Sequence, residues 1–261
     1  MKTVIKDKHA LIGGSTQGIG FAIAKQLAEQ GVRCTLVARN EDRLKKAVSE
    51  LQPVAKGQHQ YIVADYSDYK NLSEKINHFV IQDPIHILIN NTGGPPAGLI
   101  VDATTDAFLE AFQQHLICNQ LMAQAVIPGM KAAGWGRIVN IISTSVKIPL
   151  HNLGVSNTVR GAVASWSKTL SNELGQYNIT VNNVLPGFTE TQRLESIIDG
   201  TMKKANQSYE TVTAQMTKDV PMKRFGTAEE IAAVAVFLAG DAASYVTGVS
   251  IPVDGGRTGS I

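Results

Sequence analysis

The stretch Gly13-Gly14-Ser15-Thr16-Gln17-Gly18-Ile19-Gly20 decides the fold of this 261-residue chain. It follows a short apolar run, His9–Gly13 (HALIG), and it opens an amphipathic segment, Ile19–Gln30. Glycines at a strand-to-helix junction allow a tight turn, close approach of the backbone to a pyrophosphate, and close packing of the helix on the strand. The order of strand, glycine-rich turn and helix therefore predicts a dinucleotide-binding unit at the start of the chain.

Short apolar runs and longer amphipathic segments alternate along the rest of the chain. Continuous β-branched runs are typical of strands that are covered on both faces, as in a parallel sheet. Repeated strand–helix units imply right-handed crossovers. We therefore predict an α/β fold with one domain over residues 1–261, built on a doubly wound parallel sheet of about seven strands. The further predicted strands are Val32–Ala38, Tyr61–Ala64, Ile85–Asn90, Arg137–Ile142, Ile179–Leu185 and Val249–Val253, and the further predicted helices are Asp42–Leu51, Asp68–Ile81, Asp106–Ala132, Val155–Tyr177 and Thr227–Ala239.

One irregular insertion, residues 190–225, lies between the sixth and seventh predicted strands. It is polar and helical in character, and at this position it would cover the carboxyl ends of the strands. Open α/β sheets bind their ligands at these ends. We interpret the insertion as a substrate lid. Its larger side chains suggest a partly apolar ligand; they are Met202, Tyr209, Val212 and Met216.

Composition argues against several classes of partner. The chain has 24 basic and 22 acidic residues and no long run of like charge, so we expect no nucleic-acid partner. The sequence shows neither a signal peptide nor a membrane span, and we expect a cytoplasmic protein without a membrane partner. Cys34 and Cys118 lie in apolar surroundings, which predicts two reduced core residues and no disulfide or metal site.

Five motifs in order resemble the short-chain dehydrogenase/reductase family, and the resemblance covers almost the whole chain. They are Gly14-x-x-x-Gly18-x-Gly20, Asn90-Asn91-Thr92-Gly93, Gly136–Ser143 (GRIVNIIS), Pro186–Thr191 (PGFTET), and Tyr245-Val246-Thr247-Gly248 with Asp254-Gly255-Gly256. The resemblance, which is to 3-oxoacyl-acyl-carrier-protein reductase-like members, implies a Rossmann-type fold. It also implies a homo-oligomer, a tetramer or a dimer, formed through the two long predicted helices. Gly13 stands where the family usually has Thr, and we expect this departure to loosen the turn.

The end of the second predicted strand indicates which dinucleotide the chain binds. An Asp there would accept a hydrogen bond from the ribose 2′-hydroxyl and favour NAD. The chain has Ala38, Arg39 and Asn40 instead, and a guanidinium can bind a 2′-phosphate through several donors. We therefore predict NADP(H), although Arg39 could also be an ordinary solvated residue. Asp65 resembles the family residue that contacts adenine, and its alternative role is to cap the following helix.

The resemblance assigns cofactor-binding residues to all parts of this pattern, from the glycine-rich turn to the Pro-Gly segment that grips the nicotinamide. The predicted cofactor-binding residues are Gly14, Ser15, Thr16, Gln17, Gly18, Ile19, Gly20, Arg39, Asn40, Asp65, Asn91, Thr92, Gly93, Arg160, Pro186, Gly187, Phe188, Thr189 and Thr191.

The chain departs from the family pattern at the predicted catalytic end. In the family a Tyr donates a proton to the substrate, a Lys four residues later supports it, a Ser orients the carbonyl and a helix Asn holds a relay water. Ser143 matches the Ser, but Ser156, Arg160 and His115 occupy the Tyr, Lys and Asn positions. The one Tyr between Ser143 and the Pro-Gly segment is Tyr177, which lies ~31 Å beyond Ser156 along a helix. It cannot substitute for the missing phenol.

A proton donor must then come from another residue. A serine hydroxyl is a far weaker acid than a phenol with a pKa of ~10, and an arginine stays protonated. The candidates are Lys147, four residues after Ser143, and His115, which titrates near neutral pH, with His151 a less well placed third. Lys147 could instead be a solvated loop residue and His115 a packing residue. Ser143 either binds the substrate carbonyl or caps the strand end.

Three functions stay open from the sequence. The first is an NADP(H)-dependent oxidoreductase that acts on a carbonyl or hydroxyl group of a 3-oxoacyl-like small molecule with a rearranged proton donor. The second is a catalytically silent NADP-binding sensor or regulator, and the third is a lyase-type enzyme with a structural cofactor. We favour the first function, because the motifs that resemble the family's cofactor site are intact. Hydride transfer also depends mainly on how the reactants are placed.

Overall fold

Seven parallel strands form one sheet in the computed structural model, which describes residues 5–54 and 57–259. The order of strands is β3-β2-β1-β4-β5-β6-β7, so the direction of winding reverses between β1 and β4. This is the predicted Rossmann-type doubly wound sheet. The strands are β1 (His9–Gly13), β2 (Arg33–Ala38), β3 (Gln60–Val63), β4 (Ile87–Asn90), β5 (Gly136–Ile141), β6 (Ile179–Pro186) and β7 (Ser250–Val253).

Helices cover both faces of this sheet. Neighbouring residues of β1 show the consequence, since Ile12 packs into the core on one face and Leu11 into the core on the other. Because both faces of the sheet are buried, the strands are continuous apolar runs and do not alternate between apolar and polar residues. Within the described residues, no helix combines the length and the apolar character needed to cross a bilayer. The helices are α1 (Gly18–Glu29), α2 (Glu41–Ser49), α3 (Tyr69–Gln82), α4 (Thr105–Phe112), α5 (Cys118–Ala133), α6 (Gly154–Leu174), α7 (Gln192–Ala205), α8 (Tyr209–Thr217) and α9 (Ala228–Leu238).

The predicted strands and helices match the observed ones closely, with two differences. The predicted helix Asp106–Ala132 is divided into α4 and α5 by a π-helical turn, Gln113–Ile117. Such turns insert one residue into a helix and occur often at functional sites. The predicted helix Val155–Tyr177 is α6, which ends at Leu174 and continues as a 3₁₀ turn.

Both cysteines are buried core residues. Cys34 and Cys118 are free thiols, each with no exposed surface. Burial raises the pKa of both thiols, that of Cys118 to about 12, so neither is a thiolate at neutral pH. Among the described residues, no group of His, Cys, Asp or Glu side chains is arranged to hold a metal ion.

Residues 190–225, the predicted lid, leave the sheet after β6 and return to the same place. We call them the lid segment. The Glu190 amide donates to the Gly226 carbonyl at 2.8 Å, and the Gly226 amide donates to the Phe188 carbonyl at 2.9 Å. Between the residues joined by these two backbone hydrogen bonds, the segment folds into α7 and α8. It has a small hydrophobic cluster of its own, centred on Leu194, Ile198, Val212 and Phe225.

Candidate active site

A cavity of about 680 Å³ opens at the carboxyl ends of the strands. This is the place and the size expected for a ligand site in an open α/β sheet. It is lined by most of the residues predicted from the sequence, which come from the ends of six strands and from α1, α6 and the lid segment. Those residues are Gly14, Thr16, Gln17, Gly18, Ile19, Arg39, Asn40, Asp65, Asn91, Thr92, Gly93, Ser143, Ser156, Arg160, Pro186, Gly187, Phe188, Thr189 and Thr191.

The start of α1 is an open anion site at one end of this cavity. Gly14 and Gly18 have φ angles of 54° and 55°, a left-handed conformation that favours glycine. No side chain caps the first amides of α1, and its first turn holds no acidic residue. By contrast, Asn40 and Asp68 cap α2 and α3. The free amides and the helix dipole of α1 can therefore bind a phosphate group.

Gly13 is tightly packed, so the expectation that it loosens the turn is wrong. A Cβ atom at Gly13 would lie 2.8 Å from the Asn91 carbonyl oxygen and would collide with the Tyr66 hydroxyl. That hydroxyl contacts the Met122 sulfur at 3.2 Å, and burial raises the pKa of Tyr66. The Tyr66 phenol packs against the core next to the turn, and Tyr66 also lines the cavity.

Two predicted cofactor residues support the turn and do not line the cavity. The Ser15 hydroxyl donates to the Ile12 carbonyl at 2.8 Å and accepts from the Val37 amide at 3.1 Å, which links β1 to β2. Gly20 is buried, and a Cβ atom there would lie 2.7 Å from the Asn91 side-chain amide. The predictions for Ser15 and Gly20 as cofactor contacts are therefore corrected to structural roles in the turn.

Two arginines line the cavity next to β2 and α2, where we predicted the adenosine end of the cofactor. Arg39 is exposed after β2 and lines the cavity, as expected for a residue that binds a 2′-phosphate. Asn40 also lines it, and its side chain accepts from the Arg43 amide at 2.9 Å to cap α2. Arg43 was not predicted, although it lines the cavity and contacts Gln17 at 3.3 Å. The sequence signal for Arg43 is its position in the first turn of α2, close to the cap residue Asn40.

Asp65 lies on the same side of the cavity. Its carboxylate accepts from the Ser67 amide at 2.9 Å, and the cap of α3 is Asp68. The alternative interpretation of Asp65 as that helix cap is therefore wrong. Asp65 lines the cavity and stays a candidate for contact with adenine.

Ser143, which follows β5, and Ser156 and Arg160, which lie on α6, all line this cavity. Ser143 caps the strand end, since its hydroxyl accepts from the Ser145 amide at 3.1 Å, and it also faces the cavity. Ser156 and Arg160 are one turn apart on α6 and are 8% and 7% exposed. Arg160 donates to the Ile141 carbonyl at 3.3 Å. Burial and the nearby Arg193 cation lower the pKa of Arg160 to about 10, so it stays charged at neutral pH.

His115 does not titrate near neutral pH, which corrects that expectation. It is 1% exposed and lies in the π-helical turn, where its Nδ1 atom is 2.6 Å from Thr92 Oγ1. Burial, with the nearby Arg160 and Arg193 cations, lowers the pKa of His115 to about 3. It is not among the described residues that line the cavity. The imidazole is neutral and lies behind Thr92.

The two remaining candidates for a proton donor lie away from the cavity. Lys147 and His151 are exposed, and neither is among the described residues that line it. Leu150, which lies between them in the chain, does line it. The predicted position of Lys147 beside the substrate is therefore wrong, because the loop after β5 turns this side chain into solvent.

The lid segment presents different side chains from those expected. Met202, Val212 and Met216 pack into the hydrophobic cluster of the lid segment itself, and Tyr209 is half exposed. They do not line the cavity in the described structure, so they give no information about the ligand. The lid residues that do line it are Thr191, Gln192, Arg193, Leu194 and Ile197.

Two further arginines that line the cavity were missed by the sequence reasoning. Arg193, in the first turn of α7, donates to the carbonyls of Gly94 at 2.9 Å and Pro95 at 3.3 Å. Arg257 lies over the Phe188 ring at 4.3 Å from its centroid. The sequence signal for Arg193 is its position two residues after Thr191. Its contact with Gly94 could not be predicted, because the two residues are 99 positions apart in the sequence.

Comparison with known proteins gives the family. The sequence model of a family described as Enoyl-(Acyl carrier protein) reductase matches residues 14–258. The chain belongs to the short-chain dehydrogenase/reductase family. This short-chain dehydrogenase/reductase is 32% identical to the NADPH-dependent reductase BacG of Bacillus subtilis (strain 168), over 97% of this chain and 99% of that protein.

Other members of the short-chain dehydrogenase/reductase family are similarly related. The chain is 33% identical to the 3-oxoacyl-[acyl-carrier-protein] reductase FabG of Pseudomonas aeruginosa, over 97% of this chain and 98% of that protein. It superposes with a TM-score of 0.94 on the L-sorbose reductase of Gluconobacter frateurii complexed with NADPH and L-sorbose. That alignment covers 100% of both chains at 28% identity.

Proposed function

We propose that the chain is an NADP(H)-dependent oxidoreductase that acts on a carbonyl or hydroxyl group of a small molecule. One observation carries the proposal: a single cavity joins the uncapped start of α1 and Arg39 to Ser143, Ser156 and Arg160. One half of this cavity can bind phosphate groups, and the other half is polar and positively charged. One extended ligand can therefore contact both halves. The names of the relatives support the same activity, since BacG is an NADPH-dependent reductase and the L-sorbose reductase was solved with NADPH.

The residues present fit NADP(H). The free amides of Gly18 and Ile19 at the start of α1 would hold the pyrophosphate. Arg39 and Arg43 would bind the 2′-phosphate. The segment Pro186–Thr191 would hold the nicotinamide, in keeping with the family resemblance. Bound NADPH would supply a hydride, which reduces a carbonyl carbon by two electrons.

The side chains at the catalytic end can stabilise a carbonyl oxygen while it gains negative charge. The hydroxyls of Ser143 and Ser156 would donate hydrogen bonds to this oxygen. Arg160 would provide a fixed positive charge in a largely buried place, where electrostatic stabilisation is strong. No histidine or lysine is among the described lining residues, so we propose that water held by the two serines delivers the proton. With the hydride of NADPH and this proton the carbonyl would become an alcohol, and the hydroxide left by the water would take up a proton from solvent.

A 3-oxoacyl-like compound is the proposed type of substrate, and the relationship to FabG supports it. The decisive experiment is to follow NADPH oxidation with panels of ketones, sugars, oxo acids and 3-oxoacyl thioesters. We expect turnover with at least one class, and a loss of about tenfold or more in kcat for Ser156→Ala. Lys147→Ala should keep activity within about twofold, because its side chain is solvated. NADPH binding without turnover of any compound would favour a silent cofactor-binding protein.

A further inference from the structure

The cavity holds far more positive than negative charge. Asp65 is the one acidic side chain among the described residues that line it. Two of the cations lie at the adenosine end, and the start of α1 can bind the pyrophosphate. The phosphate groups of the cofactor therefore leave the other three cations for the substrate, and one of them is Arg160, which also stabilises the reacting carbonyl oxygen in the proposed reaction. The five lining arginines are Arg39, Arg43, Arg160, Arg193 and Arg257.

Arg160 is a nearly buried cation without an acidic partner among the described residues. It is 7% exposed, and the hydrogen bond that its guanidinium makes is to the neutral Ile141 carbonyl. Burial of an unpaired charge costs several kcal/mol unless the charge finds a partner. The guanidinium has five N–H donors, so most of its capacity for hydrogen bonding is free.

Arg193 brings a second cation to the same end of the cavity. Its two hydrogen bonds, to Gly94 and Pro95, go to neutral carbonyl groups and leave its charge without an acidic partner in the described part of the chain. Arg193 lowers the pKa of Arg160, and both arginines lower the pKa of His115. Both side chains line the same cavity, Arg160 from α6 and Arg193 from the first turn of α7, so that one ligand in the cavity can contact both. We call Arg160 and Arg193 the substrate-end arginines.

We propose that the substrate carries a free carboxylate, which the substrate-end arginines bind together. A guanidinium binds a carboxylate through two parallel hydrogen bonds, and a pair of arginines suits one anionic group better than a neutral ester, thioester or amide. A carboxylate between them would also neutralise the repulsion that the two cations exert on each other. Because Arg193 lies in the first turn of α7, such a ligand would connect the lid segment to α6.

This proposal rests on the proposed function for the identity of the reacting group, and it makes the substrate an oxo acid or a hydroxy acid. The carboxylate site itself can be tested without any turnover. The probes are matched carboxylates and carboxamides of increasing size: acetate and acetamide, benzoate and benzamide, and 3-phenylpropionate and 3-phenylpropionamide. Each is titrated into the NADP⁺-saturated protein by calorimetry, since the two members of a pair differ mainly in charge.

We expect at least one carboxylate to bind about tenfold or more tightly than its carboxamide, as charge-assisted hydrogen bonds are the stronger ones. Arg193→Gln should reduce that preference to about twofold or less while NADP⁺ binding stays unchanged. Arg160→Gln should also reduce the preference for the carboxylate. Because Arg160 is nearly buried, its replacement could impair folding, and Arg193→Gln tests the proposal in that case. Lys204→Gln removes a cation from an exposed site on the same helix, α7, and should leave the preference unchanged.

Two results of the titrations would overturn the proposal. One is that no pair shows a preference for the carboxylate. The other is that Arg193→Gln weakens NADP⁺ binding and leaves the preference intact, which would assign Arg193 to the pyrophosphate. The protein could prefer carboxylates and yet oxidise NADPH with none of the compounds in the panel. This result would support the anion site and reject the proposed reductase activity. Turnover that is equal for oxo acids and their esters would keep the reductase and reject the anion site.

Discussion

Thr92 Oγ1 lies 2.6 Å from His115 Nδ1, and this contact joins the loop after β4 to the π-helical turn between α4 and α5. Thr92 faces the cavity, whereas the imidazole behind it is buried and its Nε2 atom has no partner among the described atoms. The pair holds the wall of the cavity in place. A neutral imidazole in this position can orient Thr92 through a hydrogen bond, but it lacks the imidazolium proton that a general acid would transfer at neutral pH.

The protein should lose stability in acid because of His115. Its pKa is about 3 in the folded protein and 6.5 in the unfolded chain, so the unfolded chain binds the proton more readily. The stabilising contribution is complete above pH 6.5 and is lost as the pH falls towards 3. At pH 4.5 it amounts to a loss of about 3 kcal/mol. Urea unfolding at pH 7 and pH 4.5 should show a smaller acid loss for His115→Gln than for the unchanged protein. Equal losses in both proteins would mean that the imidazole is not held neutral.

Arg39 and Arg43 should set the preference for NADPH over NADH. The double change Arg39→Ala and Arg43→Ala removes the charged donors at the adenosine end, and we expect the Kd for NADPH to rise about tenfold to a hundredfold. The Kd for NADH should change by less than about threefold, since NADH has no 2′-phosphate. Fluorescence titration measures both. Lys45→Ala is the matched control, because Lys45 pairs with Glu41 at 3.0 Å on the same helix. Equal weakening of both cofactors would count against the 2′-phosphate assignment.

Gly187 should not accept a side chain. A Cβ atom there would lie 2.7 Å from Asp254 Cα and Cβ, so Gly187→Ala must displace backbone beside the nicotinamide segment. We expect a loss of about 1–3 kcal/mol in the free energy of unfolding, together with weaker NADPH binding. Gly200→Ala provides the contrast, since nothing lies within 4 Å of its Cβ position in α7. It should raise stability by about 0.5–1 kcal/mol, because alanine favours a helix. Equal thermal shifts for the two changes would contradict the packing described here.

A buried network of amides should contribute strongly to stability. Asn140 accepts from Asn90 at 2.8 Å, and it donates to Asn183 at 2.9 Å and to Ser167 at 3.2 Å, which joins β4, β5, β6 and α6. Asn140→Leu would leave these partners unsatisfied in the core, and we expect a loss of about 3 kcal/mol. Asn77→Ala removes an exposed hydrogen bond to Ser73 on α3 and should cost about 0.5 kcal/mol or less. Denaturant unfolding compares the two, and a small effect at Asn140 would mean that the network is not stabilising.

The parts of the site that depend on local sequence were predictable. The turn from Gly14 to Gly20 follows a strand and opens a helix, and steric limits on these few residues fix its shape. Arg39 was found for the same reason, as its place at the end of β2 is set by the strand itself. Each of these residues needs only its neighbours in the chain to define its position.

The parts that depend on long-range packing were not predictable. The low pKa of His115 arises from burial and from two arginines that lie far away in the sequence. Arg193 reaches Gly94 across the cavity, a contact that no spacing in the sequence indicates. Lys147 was placed at the site by its distance from Ser143 along the chain, whereas the direction of the loop decides where its side chain points. Such directions follow from the assembled fold, and a single sequence does not contain a local signal for them.

The most direct test of the proposed cofactor site is an equilibrium titration of NADPH into the unchanged protein and into Gly18→Val. A branched side chain at Gly18, where φ is 55°, would distort the turn and obstruct the free amides of α1. We expect saturable binding to the unchanged protein and a loss of at least about tenfold in the variant, with circular dichroism showing that both are folded. If the folded, unchanged protein did not bind NADPH, or if both proteins bound it equally, the assignment of this turn as the dinucleotide site would be contradicted.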